Sequence, residues 1–227
     1  MKRIVLKIVL WLFVASLGSL LLFKFVPVYY TPLMLRRAVE AFADGRPVHF
    51  ERQWVSLDQV SPQMVRAVVA AEDDTFFEHH GFVWQQIQKA YQSNRNGKKR
   101  RGGSSLSQQT AKNVFTFGTR TYVRKAFEAY FTVGQELIWG KRRMLEIYLN
   151  IVEWGDGIYG VEAAAQHYFG KSAAKLSEQQ AALLAAALPG PRIYNVVHPG
   201  PYMLKRQKHI IRMMHNLPPK LPLDSSF

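Results

Sequence analysis

Apolar residues run without a charge from Ile8 to Phe23, and the run extends from Ile4 to Val28 with Lys7 and Lys24 at its ends. About 20 residues at ~1.5 Å each span the ~30 Å hydrocarbon core, so this stretch predicts a transmembrane helix. Beyond it the periods shorten. Pro27 to Pro32 reads as extended, and Leu33 to Ala43 as a short helix ended by Asp44-Gly45-Arg46-Pro47. Val48 to Leu57 alternates weakly and reads as extended. Ser61-Pro62 is a helix start, a hydroxyl N-cap followed by proline at the first helical position. Met64, Val65, Val68, Val69 and Glu72 follow at helical spacing. Val83 to Tyr91 predicts a helix, Asn94 to Arg101 a basic loop, and Leu106 to Phe115 a helix opened by Gly102-Gly103-Ser104-Ser105. Two strongly periodic helices follow, Thr121 to Trp139 and Lys141 to Val152. After a turn at Gly155 to Gly157, an Ala-rich helix from Tyr159 to Tyr168 closes at Gly170. Ser177-x-x-Gln180 is a capping box opening an Ala/Leu helix to Leu188, apolar nearly all round and so expected at the buried centre. A last amphipathic helix from Pro201 to Asn216 is expected to turn Lys205, Arg206, Lys208 and Arg212 outward. The fold class is therefore mainly α.

Composition narrows the partners. The chain has 227 residues, a formal charge of +14 and no cysteine. Such a charge points to nucleic acid, an anionic membrane or a phosphorylated substrate, and the missing cysteines exclude thiolate chemistry. Lys2, Arg3 and Lys7 precede the apolar run, so the positive-inside rule places the N-terminus in the cytoplasm and the remainder outside. That placement disfavours nucleic acid. A cleaved signal peptide is the competing reading; the long apolar core and the lack of an Ala-x-Ala site after it argue for an anchor.

The candidate chemistry lies between Glu72 and Glu128. From His79 through Phe127 there is no Asp or Glu, while ten Lys or Arg occur, among them Lys112, Arg120, Arg124 and Lys125. So one-sided an interval repels itself unless an anion sits on it. Glu72 falls at a helix C-terminus beside Asp73 and Asp74, where dipole and neighbours both raise a carboxylate pKa. Arg124 and Lys125 stand four and three residues before Glu128 and favour its charged form. Two carboxylates pushed apart in this way suit acid–base work. Glycines and hydroxyls at the start of a helix suit an anion. There is no Walker loop, His-Glu-x-x-His or Gly-x-Ser-x-Gly. Adjacent His79 and His80 diverge on a helix, so no metal site is expected.

Five motifs in order, over about Val65 to Leu188, resemble the family-51 glycosyltransferases that polymerise peptidoglycan, and among them the monofunctional transglycosylases. The first is carried by Glu72, Asp73, Phe76, His79 and Gly81. The second reads Gly102, Gly103, Ser104, Ser105, Leu106, Ser107, Gln108, Gln109, Lys112 and Asn113, with Ser105 and Ser107 where the family has threonines. The third is Arg124, Lys125 and Glu128; the fourth is Met144, Leu145, Glu146, Tyr148, Leu149 and Asn150; the fifth runs from Tyr159 to Phe169. The resemblance implies a lysozyme-like, mainly α glycosyltransferase domain with a small membrane-dipping jaw. The expected division is 1–28 anchor, 29–60 membrane-proximal linker, 61–217 glycosyltransferase domain with the jaw near 82–120, and 218–227 irregular tail. Phe82, Trp84, Val114, Phe115 and Phe117 are expected to touch lipid. No Ser-x-x-Lys transpeptidase follows, so a monofunctional enzyme is expected.

The implied substrate is lipid II, a disaccharide-pentapeptide on undecaprenyl pyrophosphate, added to a growing glycan chain at the bacterial inner membrane with the catalytic domain in the periplasm. Glu72 is implied as base and Glu128 as its partner. Lys112, Arg120, Arg124 and Lys125 would hold the pyrophosphate, with Ser104, Ser105, Gln108 and Asn113 lining the donor side. Asp73, Phe76, His79, Gly81, Gly102, Gly103 and Gln109 support the motifs. No cofactor is required, although a divalent cation could sit on the pyrophosphate. Membrane lipids and other wall-synthesis proteins are the expected partners. A lysozyme or lytic transglycosylase that cleaves peptidoglycan, or a non-catalytic scaffold of the wall machinery, are the alternatives.

Overall fold

The computed structural model describes residues 2–85, 87–88, 103–117 and 121–223. Helix α1 (Lys2–Phe25) is long and apolar enough to cross a membrane, and only about 6% of its most apolar window is buried in the protein. Residues 26–31 lead to α2 (Pro32–Ala43), whose N-cap Thr31 accepts from the Met34 N–H. Then come α3 (Pro62–Glu72), α4 (Leu106–Phe115), α5 (Tyr122–Ile138) and α6 (Gly140–Ile151). The chain ends in α7 (Val161–Phe169), α8 (Glu178–Ala187) and α9 (Pro201–Asn216). The predicted starts at Ser61, Ser105, Thr121 and Ser177 all act as N-caps through their side chains. Of the expected Val83–Tyr91 helix, residues 84, 85, 87 and 88 are helical; its remainder and the 94–101 loop lie outside the described residues.

Helix α1 is joined to the domain along α5. Leu20 is fully buried and sits over Gly134, where an added Cβ would lie 2.5 Å from Leu20 Cδ1. Trp139 Nε1–H donates to Leu20 O at 2.6 Å, and Ser16 Oγ pairs with Tyr130 Oη at 2.8 Å. Arg143 donates to Phe23 O and Val26 O at 3.0 and 2.7 Å. These are carbonyls at the end of α1, which have no partner within their own helix.

Helix α8 is buried from Ala181 to Ala187 except at Leu183, and α3 and α9 pack against it. This is the centre that its unbroken apolar character predicts. Among the described residues β1 (Glu51–Arg52), β2 (Glu153–Gly155) and β3 (Ile158–Tyr159) form one sheet in the order β1-β3-β2. Strands this short carry no readable alternation, and of the expected extended piece from Val48 to Leu57 only two residues are a strand. Two expected lipid contacts are internal instead. Val114 is 6% exposed, and Phe115 stacks on Phe131 at 4.1 Å between ring centroids. Phe115 lies on the α4 face that packs against α5, whereas Trp84 and Phe117 are exposed.

Asn150 ties the domain's entry segment to α6. Its side-chain oxygen accepts from Val55 N–H at 2.9 Å, and its amide donates to Val55 O and Glu146 O, each at 2.8 Å. Asn150→Ala leaves both buried Val55 groups unpaired and should cost about 2–6 kcal/mol, at ~1–3 kcal/mol for each group, read as a lower midpoint in thermal or urea unfolding.

Candidate active site

Asp73 organises the site. It is the residue after α3, 3% exposed, and its Oδ2 accepts from two donors at 2.9 Å: His79 Nε2–H and the Leu106 N–H. Leu106 is the first residue of α4, so the carboxylate meets an orphan N–H at the positive end of a helix. His79 Nδ1 accepts from Gly81 N–H at 3.0 Å, which leaves the ring proton on Nε2, facing Asp73. Gly81 has φ +88°, and an added Cβ would lie 2.7 Å from Thr132 Cγ2. Its carbonyl accepts from Ser105 Oγ. Ser105 and Gln108 complete a capping box and are buried, so their side chains hold α4 in place. Ser107, also buried, binds Glu136, and Glu136 pairs with the fully buried Lys141 at 2.8 Å. Lys141 Nζ also donates to His79 O at 2.6 Å and lies 4.6 Å over the Phe76 ring.

Glu72, the last residue of α3, is held just in front of this support. Gln109 Nε2–H donates to its Oε2 at 2.9 Å, and Tyr148 Oη–H donates to Gln109 Oε1 at 3.4 Å. Arg206 Nη2 lies 3.8 Å from Glu72 Oε1. Burial raises the Glu72 pKa; Gln109, Arg206 and Lys112 pull it back in part, and Asp73 adds a smaller upward push. The direction matches the sequence reading, but the main cause is loss of solvent rather than repulsion from its neighbours.

Glu128 forms the second centre, nearly two turns into α5 and 2% exposed. Arg124 Nη1 lies 3.1 Å from its Oε2, and Lys125 Nζ binds its Oε1. Lys125 also reaches Ser104 Oγ at 3.5 Å. Lys112, on α4, stands between the two centres, attracted by both Glu128 and Glu72. Its pKa is lowered, first by desolvation among the surrounding protein atoms and then by Arg124 and Lys125, against the pull of the carboxylates. A pocket of about 280 Å³ opens beside it, with Asn113 in its wall. Arg120 and Gly102 lie outside the described residues, and Gly103 directly precedes Ser104.

Arg206 corrects the outward placement expected for it. Met203, Ile210 and Met214 form the buried stripe of α9, and Arg206 falls on that stripe at helical spacing. Its Nε is buried without a hydrogen bond among the described residues. The spacing from Met203 was the available signal, hidden by three other basic residues on the same helix. Tyr148, read only as part of a motif, is fully buried behind Gln109, where burial and Glu72 hold its phenol well above the usual value. The Glu136–Lys141 pair was not recognised at all, because its members lie on successive helices with nothing in their spacing to mark them.

Residues 39–215 match the Transglycosylase family. A biosynthetic peptidoglycan transglycosylase of Bacteroides thetaiotaomicron is 47% identical over 95% of this chain and 86% of its own length. Relatives with the same description from Caulobacter vibrioides and Shewanella oneidensis are each 49% identical, over 92% and 93% of this chain and 89% and 90% of their own. A carboxylate desolvated at the end of α3, facing cations gathered by a second buried carboxylate, is thus the setting of the family's motifs, and the chain belongs to the peptidoglycan transglycosylase family.

Proposed function

We propose that this protein polymerises lipid II into linear glycan strands, with Glu72 as the general base. The observation that carries this reading is the placement of Glu72, held by Gln109 at the end of α3, opposite the Lys112–Arg124–Lys125 cluster that Glu128 gathers. Ionised Glu72 takes the proton from the 4-hydroxyl of the acceptor sugar. That oxygen forms its bond to the donor's anomeric carbon from the face opposite the leaving group. The bond from that carbon to the phosphate oxygen breaks, and its electron pair leaves with undecaprenyl pyrophosphate. An α-linked donor becomes a β-linked glycan by inversion. The leaving group needs its charge neutralised more than it needs a proton. Arg124 can grip phosphate in a fork, whereas Lys112 and Lys125 act as point charges. Both Glu128 oxygens are taken by Arg124 and Lys125, so Glu128 aims these cations rather than reacting itself. Gln109 and Tyr148 orient Glu72.

The same reading makes α1 an anchor in the inner membrane with its N-terminus in the cytoplasm and the catalytic domain in the periplasm. Glycan chain and membrane lipid are then the surfaces the domain meets. A peptidoglycan-cleaving enzyme of lysozyme type also needs one glutamate, but not a cation cluster. Incubating the full chain with lipid II separates the two: longer glycan supports the proposal, while shorter glycan from preformed polymer and none from lipid II would sink it.

Glu72→Gln should keep the fold and lower the turnover of lipid II by about 10²–10⁴-fold. A carboxylate whose folded-state pKa is raised opposes folding once ionised, so stability falls as pH rises through that pKa. The variant should therefore melt no lower than the parent at neutral pH, read by calorimetry. Activity should fall as pH drops and Glu72 takes up its proton, with the acid limb above the usual carboxylate pKa of about 4.3. Gln109→Ala removes the hydrogen bond that favours the charged form, so the limb should move to higher pH in the rate profile; an unmoved limb would separate Gln109 from the base.

A further inference from the structure

The pocket beside Lys112 contains a group that neither the motifs nor the matched family description points to. Its polar wall is formed by Arg36 of α2, by Lys112, Asn113 and Thr116 of α4, and by Arg124 of α5. Three cations from three helices face one space, and no carboxylate is among the residues lining it. The space has a volume of about 280 Å³. Arg36 Nε lies 3.2 Å from Glu40 Oε1, but both side chains are about two-fifths exposed, so that pair holds weakly. Arg37 draws on the same carboxylate at 2.8 Å. The terminal nitrogens of Arg36 make no hydrogen bond among the described residues. Gathering like charges around an open space is unfavourable until an anion enters it.

We infer that Arg36 is a further binding residue for the reaction, joining Lys112 and Arg124 on the diphosphate of the lipid-linked donor. This rests on the polymerase reading above. It has a structural consequence. Residues 26–31 alone separate α1 from α2, so the membrane-proximal segment supplies part of the donor site and the anchor sets the height at which that site meets the membrane. A lipid-linked diphosphate arrives at that height with its charge at the interface. Arg36 can meet it with a two-nitrogen fork, a geometry that lysine lacks.

The test uses the full chain in phospholipid-free detergent micelles, with Arg36→Ala and Arg36→Lys measured against the parent. Ala favours the helix, so α2 should be kept, and an unchanged melting curve checks this. Arg36→Ala should lower kcat/KM for lipid II by about 10- to 100-fold, as expected for one charge-assisted contact, mostly through KM. Inhibition by inorganic diphosphate should weaken by a similar factor, and Arg36→Lys should recover part of both losses. Polymerisation by the parent in the same assay establishes the underlying reading separately. Parent-like kinetics in Arg36→Ala would overturn the inference. So would a loss seen only in vesicles containing phosphatidylglycerol, which would assign the pocket to a lipid headgroup. Should Arg36→Ala unfold, parent-like kinetics in a folded Arg36→Lys, together with unchanged diphosphate inhibition, would overturn it equally.

Discussion

The Asp73 carboxylate is the interaction on which the catalytic side of this molecule depends. Buried and shared between the His79 ring and the first free N–H of α4, it fixes three things at once. It ends α3 at Glu72. It holds the turn through His79 and Gly81, whose carbonyl receives Ser105. It also sets the start of α4, and with it the positions of Gln109 and Lys112 further along that helix. A buried carboxylate survives only with its acceptor capacity filled, and here the donors that fill it are the pieces that need to be aligned. Behind them the Glu136–Lys141 pair holds His79 from the other side. Breaking such a pair is expensive, because the remaining charge is left buried.

On this support two carboxylates receive opposite treatment. Glu72 has one amide hydrogen bond and a distant guanidinium, so desolvation dominates and the proton is held more tightly. Glu128 is more completely buried and has a cation on each oxygen. The first arrangement favours taking a proton, the second presenting positive charge. Lys112 feels both and connects them electrostatically. Keeping Glu72 desolvated works against stability whenever it is ionised, a common exchange at catalytic sites. The cations likewise repel one another until an anionic ligand arrives, so binding of the donor should relieve strain that folding has left in place.

Much of this was legible in the chain. Hydroxyl caps at Ser61 and Ser177, and the Gly-Gly-Ser-Ser run before Leu106, marked helix starts, because local hydrogen bonds decide where a helix begins. Glu72 and Glu128 stood out because acids are missing between them. What escaped were relations across the fold. Arg206 lies on the buried stripe of α9, but its neighbours disguise it as surface charge. Arg36 reaches the pocket only because α2 folds back beside α4. Val114 and Phe115 look lipid-facing in sequence, yet Val114 is buried and Phe115 fills the α4–α5 contact. The three strands are too short to show a period. Ser105 and Gln108, read as donor-side groups, spend their hydrogen bonds on capping, a use the capping-box spacing itself announces.

The most direct test is the ionisation of Glu72 in the folded full chain. NMR of protein carrying glutamate labelled with ¹³C at the side-chain carboxyl would follow it, with the signal identified by its loss in Glu72→Gln. Titration above the ordinary carboxylate range is the predicted result. Titration at or below that range would contradict the assignment of Glu72 as a desolvated base.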